Sequence, residues 1–139
     1  MIWKLRPSVE VLNNYSGQHL GKHLGIEITE VGDDFLAGRM PVDGRTVQPY
    51  GILHGGASCV LAETLGSIGG SFCCDPQTEM VVGLEINANH IKSARNGFVL
   101  GVARPVHLGK TTQVWEIKIT NEGGGLVCIS RLTLAVRTK

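Results

Sequence analysis

Between Gly55 and Phe72 this 139-residue chain carries its one long run of helical periodicity, while its other long apolar patterns have the period of strands. Ala57, Val60, Leu61, Leu65, Ile68 and Phe72 recur mostly at spacings of three or four, which gathers them on one side of a helix. A single helix among strands confines the chain to an architecture in which a sheet closes around it. The run also holds Gly66, Gly69 and Gly70, each disfavouring a helix by about 1 kcal/mol relative to alanine. That cost is offset where missing side chains let a sheet or another helix come close. Asp75-Pro76 closes the element.

Upstream, Ser8 reads as the N-cap of a short helix over Val9 to Leu12, with Glu10 in its first turn and Asn13-Asn14 as its end. Tyr15 to Gly21 reads as a turn or another short helix. Gly25 to Val31 and Phe35 to Val42 read as strands joined by a turn at Gly32-Asp33-Asp34. Downstream come four strand signals. In Met80 to Ile91, the residues Val82, Leu84, Ile86, Ala88 and His90 share one face, and Gly83, Glu85, Asn87 and Asn89 the other. Asn96-Gly97 is a hairpin signal leading into Phe98 to Val106. After a turn at Leu108-Gly109-Lys110, Trp115, Ile117 and Ile119 point one way; Trp115 reads as core. Gly123 to Gly125 make the last turn, and Leu126, Cys128, Leu132, Leu134 and Val136 line the inner face of the final strand, with Val127, Ile129 and Ala135 facing outward. The order is α+β: a curled antiparallel sheet around one helix, in a single domain over residues 1–139. One helix covers a sheet face only partly, so oligomerisation is expected to bury the remainder.

A net charge of +1 gives no electrostatic footprint for nucleic acid or an anionic membrane surface. No stretch approaches the ~18 apolar residues of a membrane span, and the start of the chain leads into no apolar signal core. Cys59, Cys73, Cys74 and Cys128 show neither a CxxC nor a zinc-ligand spacing, and Cys73-Cys74 reads as helix-end packing rather than redox chemistry. His19 and His23 have the i, i+4 spacing of a metal pair but no acidic or cysteine partner nearby, and read as surface. A reduced, cytoplasmic setting without metal or cofactor is expected.

The chemistry sits at the start and middle of the helical run. His54-Gly55-Gly56 at a helix start leaves backbone N–H groups aimed beyond the helix, where donors and dipole suit an anion or a carbonyl that becomes one. The same residues also fit a plain tight turn. Glu63 lies between Leu61 and Leu65 on a helix the sheet must cover. A carboxylate there is either primed as base or nucleophile by desolvation, or placed on an exposed seam. Eight residues of helix separate Gly55 from Glu63, or about 12 Å of rise. A single scissile carbonyl needs its catalytic groups near ~3 Å, so both can act on it only if Glu63 comes from a second subunit whose helix runs antiparallel to the first. The smallest working unit is then a two-fold dimer.

Gln48, Pro49, His54-Gly55-Gly56, Glu63-Thr64, Asn87-Ala88-Asn89-His90 and His107-Leu108-Gly109-Lys110 together resemble the hotdog-fold acyl-CoA thioesterases. The similarity is to the phenylacetic-acid-pathway and Arthrobacter-type 4-hydroxybenzoyl-CoA group, and within it to the enterobacterial menaquinone- and enterobactin-associated thioesterases, over nearly the whole chain. The resemblance implies a hydrolase of aromatic or medium acyl-CoA thioesters. It implies that Glu63 attacks the thioester carbonyl or activates a water, that Gly55 N–H polarises the carbonyl, and that His54 and Gln48 orient thioester or water. It further implies a homotetramer built as a dimer of dimers, with CoA near subunit junctions. His90 is a candidate for the acyl pocket, or a core histidine. Ser67, one turn beyond Glu63, is a candidate contact to the acyl group. Lys92, Arg95, Arg104 and Lys110 are candidates for CoA phosphates, or solvated sheet-edge charges; at Lys110 the family commonly has arginine. Two rival readings stand beside the thioesterase: a hotdog hydroxyacyl dehydratase, and a non-catalytic acyl-CoA-binding module.

Overall fold

A computed structural model describes residues 1–14 and 19–139. Helix α1 (Val9–Asn13) begins where Ser8 Oγ accepts the Val11 N–H at 3.1 Å, as the capping pattern requires. The turn expected over Tyr15 to Gly21 falls outside the described residues for its first four positions, and its end enters α2 (Leu20–His23). Strands β1 (Glu27–Val31) and β2 (Leu36–Pro41) follow, then α3 (Gly55–Phe72), whose two ends coincide with those read from the periodicity. The remainder is β3 (Glu79–His90), β4 (Phe98–Leu108), β5 (Thr112–Asn121) and β6 (Leu126–Thr138). Among the described residues these six strands form one sheet in the order β1-β2-β4-β5-β6-β3, with every neighbouring pair antiparallel.

The sheet curls around α3. Leu61 and Leu65 of the helix and Trp115, Ile117, Ile119, Leu132 and Leu134 of the sheet are all fully buried. The helix glycines are where the two layers touch. A Cβ on Gly66 would stand 2.6 Å from Leu132 Cδ2, one on Gly69 2.8 Å from the Trp115 ring, and one on Gly70 2.5 Å from Leu134 Cδ1. The intrinsic cost of these glycines is thus offset by apolar contact that no larger residue permits. At the helix end Gln113 Nε2 donates to Gly70 O at 3.3 Å and to Cys74 Sγ at 3.2 Å, while its Oε1 accepts from Trp115 Nε1 at 2.9 Å.

Three expectations are corrected. Asn96-Gly97 does not close a hairpin between β3 and β4, because those strands lie far apart in the sheet, with β3 at its edge. The connection instead crosses the N-terminal end of α3, where Leu53 N–H donates to Ala94 O at 2.7 Å. The faces of β3 are not uniform either. Gly83 pairs with Leu134 and Ile86 with Leu132, so Leu84 is the extra residue of a bulge. The bulge shifts the phase: Ile86 and Ala88 face the core as expected, whereas Val82 and Leu84 are 39% and 56% exposed. Finally, Val127 and Ala135 are buried rather than outward. Val127 is the extra residue between the pairs Ile119–Cys128 and Thr120–Leu126, which turns it inward. Ala135 is a lone methyl flanked by its sheet neighbours Val82 and Thr112.

The two edges of the sheet differ. Along β1 the Asn13 amide imitates a backbone pair: its Nδ2 donates to Ile28 O and its Oδ1 accepts Ile28 N–H, both at 2.8 Å. Along β3, twelve residues long, the outer edge pairs with no strand among the described residues.

Candidate active site

The crossing segment between β3 and β4 and the loop before α3 meet at the start of that helix. Gln48 N–H donates to Ile52 O and Gly51 N–H to Gln48 O, both at 2.9 Å, which folds residues 48–52 into a tight turn. The turn depends on Gly51, whose φ of +77° lies in the left-handed region. The Gln48 Oε1 accepts the Tyr50 N–H within the same turn, and among the described residues the amide Nε2 donates to no acceptor. Gln48, Gly55, Ser58, His90 and Lys92 line a cavity of about 290 Å³ here. Sequence reasoning had marked four of these five. Ser58 was passed over because a short polar residue in an apolar helical run carries no signal beyond its spacing of three from Gly55.

At the helix start, His54 Nδ1 accepts the Gly56 N–H at 2.8 Å, so the imidazole is the N-cap. With Nδ1 as acceptor, the hydrogen of the neutral ring is on Nε2, which faces solvent as a donor. His54 O accepts the Ala57 N–H at 3.0 Å and the Ser58 N–H at 3.3 Å. Among the described residues the Gly55 N–H alone of the first four is without an acceptor. The positive end of an eighteen-residue helix is therefore concentrated on one uncommitted donor. The His90 ring packs against the side of Gly55, where a Cβ would be 2.8 Å from His90 Nε2.

Glu63 and Ser67 are elsewhere. Both are half-buried, two turns or more further along α3, and Glu63 Oε1 lies 2.7 Å from where a Cβ of Gly83 would be. No ion pair among the described residues includes Glu63. Its charge is felt by Cys59, one turn back, whose thiol is pushed up first by burial and second by that carboxylate. Thr64 and Ile68, the next positions on the helix, face a different space, a cavity of about 380 Å³ shared with Leu12, Ile26, Ile28 and His19. His19 and His23 are both exposed, as expected of surface residues, and His19 also borders this cavity.

Within one protomer the candidate residues therefore fall into groups. Gln48, His54, Gly55, His90 and Lys92 gather at the helix start; Glu63 and Ser67 stand apart along the helix. Lys110 is exposed in the β4–β5 turn, whereas Lys92 lies against the β5–β6 turn, its Nζ 3.2 Å from where a Cβ of Gly125 would be. The two lysines sit at opposite ends of β5 and cannot reach one phosphate in the same protomer. Burial pushes the Cys73 thiol up to about 12 and that of Cys128 up to about 11, so both stay protonated at neutral pH and act as packing groups. Among the described residues no helix is long and apolar enough to cross a membrane.

The sequence profile of the thioesterase superfamily matches residues 50–128. Over 136 residues the chain is 52% identical to the 1,4-dihydroxy-2-naphthoyl-CoA hydrolase of Escherichia coli, covering 98% of this chain and 99% of that one. It is likewise 52% identical to the proofreading thioesterase EntH of Cronobacter turicensis, covering 98% of each. Its fold superposes on the crystal structure of a glutamine-to-alanine mutant of the Pseudomonas aeruginosa thioesterase PA1618 with a TM-score of 0.98 at 46% identity, over the full length of both chains.

Proposed function

Because the chain belongs to the thioesterase superfamily, and is an enzyme that hydrolyses thioesters, we propose that its substrates are CoA thioesters of aromatic or medium-length acyl groups, cleaved in a site shared by two subunits. The observation that carries the reading is the pair of half-sites on α3: a Gly55 N–H at its start and a Glu63 carboxylate eight residues on, neither of them engaged by a hydrogen bond or ion pair among the described residues. That offset is about 12 Å along the axis, too far for both to serve a carbonyl in their own protomer.

The carbonyl oxygen sits at Gly55 N–H, with the Gln48 amide and the His54 Nε2–H as neighbouring donors. Glu63 of the partner subunit stands at the carbonyl carbon. It either takes a proton from water, which adds to the carbonyl, or adds directly to form a mixed anhydride that water then opens. In both routes the negative charge passes onto the carbonyl oxygen at the helix N-terminus. In the water route, collapse of the adduct expels the CoA thiolate, which takes the proton held by Glu63, and releases the carboxylic acid. In the anhydride route, collapse expels the thiolate and leaves the acyl group on Glu63. Water then opens the anhydride to the carboxylic acid and the Glu63 carboxylate, and the other proton of the water goes to the thiolate. The 380 Å³ cavity, bordered on α3 by Thr64 and Ile68 and not by Glu63 or Ser67, is within the size range of ligand sites and supports the placing of a ring-sized acyl group on that side of the helix. His90 and Lys92 at the helix-start cavity support a role on the thiol side.

The open β3 edge supports the dimer, since it presents unpaired backbone flanked by exposed Met80, Val82 and Leu84. Exposed Leu100 and Val106 on the sheet support the further pairing of dimers into a homotetramer. The reading is tested by CoA release, followed with a thiol reagent, across a panel of aryl and aliphatic CoA thioesters ranked by kcat/KM. Aryl thioesters are expected at the head of the ranking, and turnover of none of them would overturn the substrate assignment.

A second expectation concerns Gly51. A Cβ there meets nothing within 4 Å, so Gly51→Ala adds a methyl to open space and acts only through φ. The strain is about 1–2 kcal/mol, and it is relieved by moving the turn that aims Gln48. Gly51→Ala is expected to lower kcat by roughly tenfold, with a small fall in Tm. Gly51→Asn, tolerant of the left-handed region, is expected near wild type in both. Equal activities for the two variants would separate Gln48 from catalysis.

A further inference from the structure

Four polar side chains are buried among the described residues: Thr46, Ser58, Gln113 and Ser130. Three are engaged within the protomer. Thr46 Oγ1 donates to Pro41 O at 2.7 Å, Ser130 Oγ donates to Asn87 O at 2.8 Å, and Gln113 bonds to Gly70 O and Trp115 Nε1. Ser58 is 1% exposed, yet no hydrogen bond to a described residue engages its hydroxyl; it lines the cavity at the start of α3.

The reason is local. A serine inside a helix usually returns its hydroxyl to the carbonyl one turn back, as Ser71 does to Ser67 O at 2.9 Å. For Ser58 that carbonyl is His54 O, which already accepts the Ala57 and Ser58 N–H groups. Among the described residues the hydroxyl has no acceptor, and the cavity it lines is open to it. Gly55 and Ser58 are three residues apart and so share one face of the first turn.

We propose that Ser58 is a catalytic residue whose hydroxyl donates to the thioester carbonyl oxygen alongside the Gly55 N–H as that oxygen gains charge. The inference rests on the thioesterase site argued above and adds a donor to it. The proton stays on Ser58; the hydroxyl strengthens a hydrogen bond and forms no covalent bond.

The test compares wild type, Ser58→Ala and Glu63→Gln on benzoyl-CoA, with thermal unfolding of each. Ser58→Ala is expected to lower kcat by about 10- to 100-fold, with KM within about twofold. Its Tm should hold or rise, because the change removes a hydroxyl that no described residue engages and leaves a helix-favouring residue. Unchanged kcat overturns the proposal, as does a raised KM at constant kcat, which would make Ser58 a binding group only. A fall in kcat accompanied by a lowered Tm overturns it too, by making the role structural. If Glu63→Gln is inactive while Ser58→Ala matches wild type, Ser58 falls alone. If Glu63→Gln matches wild type, the catalytic reading itself has failed.

Discussion

Replacing Glu63 by glutamine should lower kcat for aryl-CoA hydrolysis by about 10³-fold or more, within the range lost when a positioned acid–base group is removed, while KM and Tm stay close to wild type. Three observations set this expectation. The side chain is half-buried and enters no ion pair among the described residues, so the fold does not rely on its charge. Glutamine has the same shape and keeps one carbonyl oxygen, so packing against Gly83 survives. What is lost is the charge that makes the group a base or a nucleophile. Undiminished hydrolysis by the Gln variant would remove Glu63 from the mechanism.

Mixing two inactive variants should restore activity. The second variant must disable the helix-start half without loosening the helix, and His54→Ala would do both, because the His54 ring caps α3 through Gly56 N–H. His54→Asn removes the imidazole but supplies a side chain well suited to the N-cap. When Glu63→Gln and His54→Asn chains are unfolded, mixed in equal amounts and refolded, half of the dimers are mixed. Each mixed dimer holds one site with both halves intact and one with neither. About a quarter of wild-type activity should return, as two-fold symmetry dictates, and light scattering should report an unchanged assembly. If hydrolysis stays at the level of the separate variants, the two halves do not meet across subunits.

How much of this was legible in the chain varies with the range of the interactions involved. The helix from Gly55 to Phe72 was readable at both ends, because its starting glycines and its apolar spacing are local. So was the inward face of β5, where Trp115, Ile117 and Ile119 alternate without interruption. The 12 Å argument needed only a helix. What failed was non-local. Leu84 and Val127 are each the extra residue of an irregularity created by the neighbouring strand's register, and nothing in their own neighbourhood announces it. The Asn96-Gly97 turn looked like a hairpin because its chemistry is that of one; sheet order alone sends β3 to the far edge. The same misplacement hid the cavity, whose wall from His90 to Ala94 is built by that crossing. Ser58 shows its unused hydroxyl only once the hydrogen bonds of His54 O are known.

The contrast between the two sheet edges bears on how far assembly can run. In the language of polymer chemistry, a protomer with two reactive ends propagates and a protomer with one terminates. Asn13 occupies the backbone groups of Ile28 on one edge of the sheet, leaving β3 as the open edge among the described residues. Two such protomers joined through β3 consume each other's valence, and the product has no strand left to extend. In the proposed dimer the amide of one asparagine would act as a chain stopper, keeping strand pairing from running on into a fibre while the outer faces of the sheet stay free for further association.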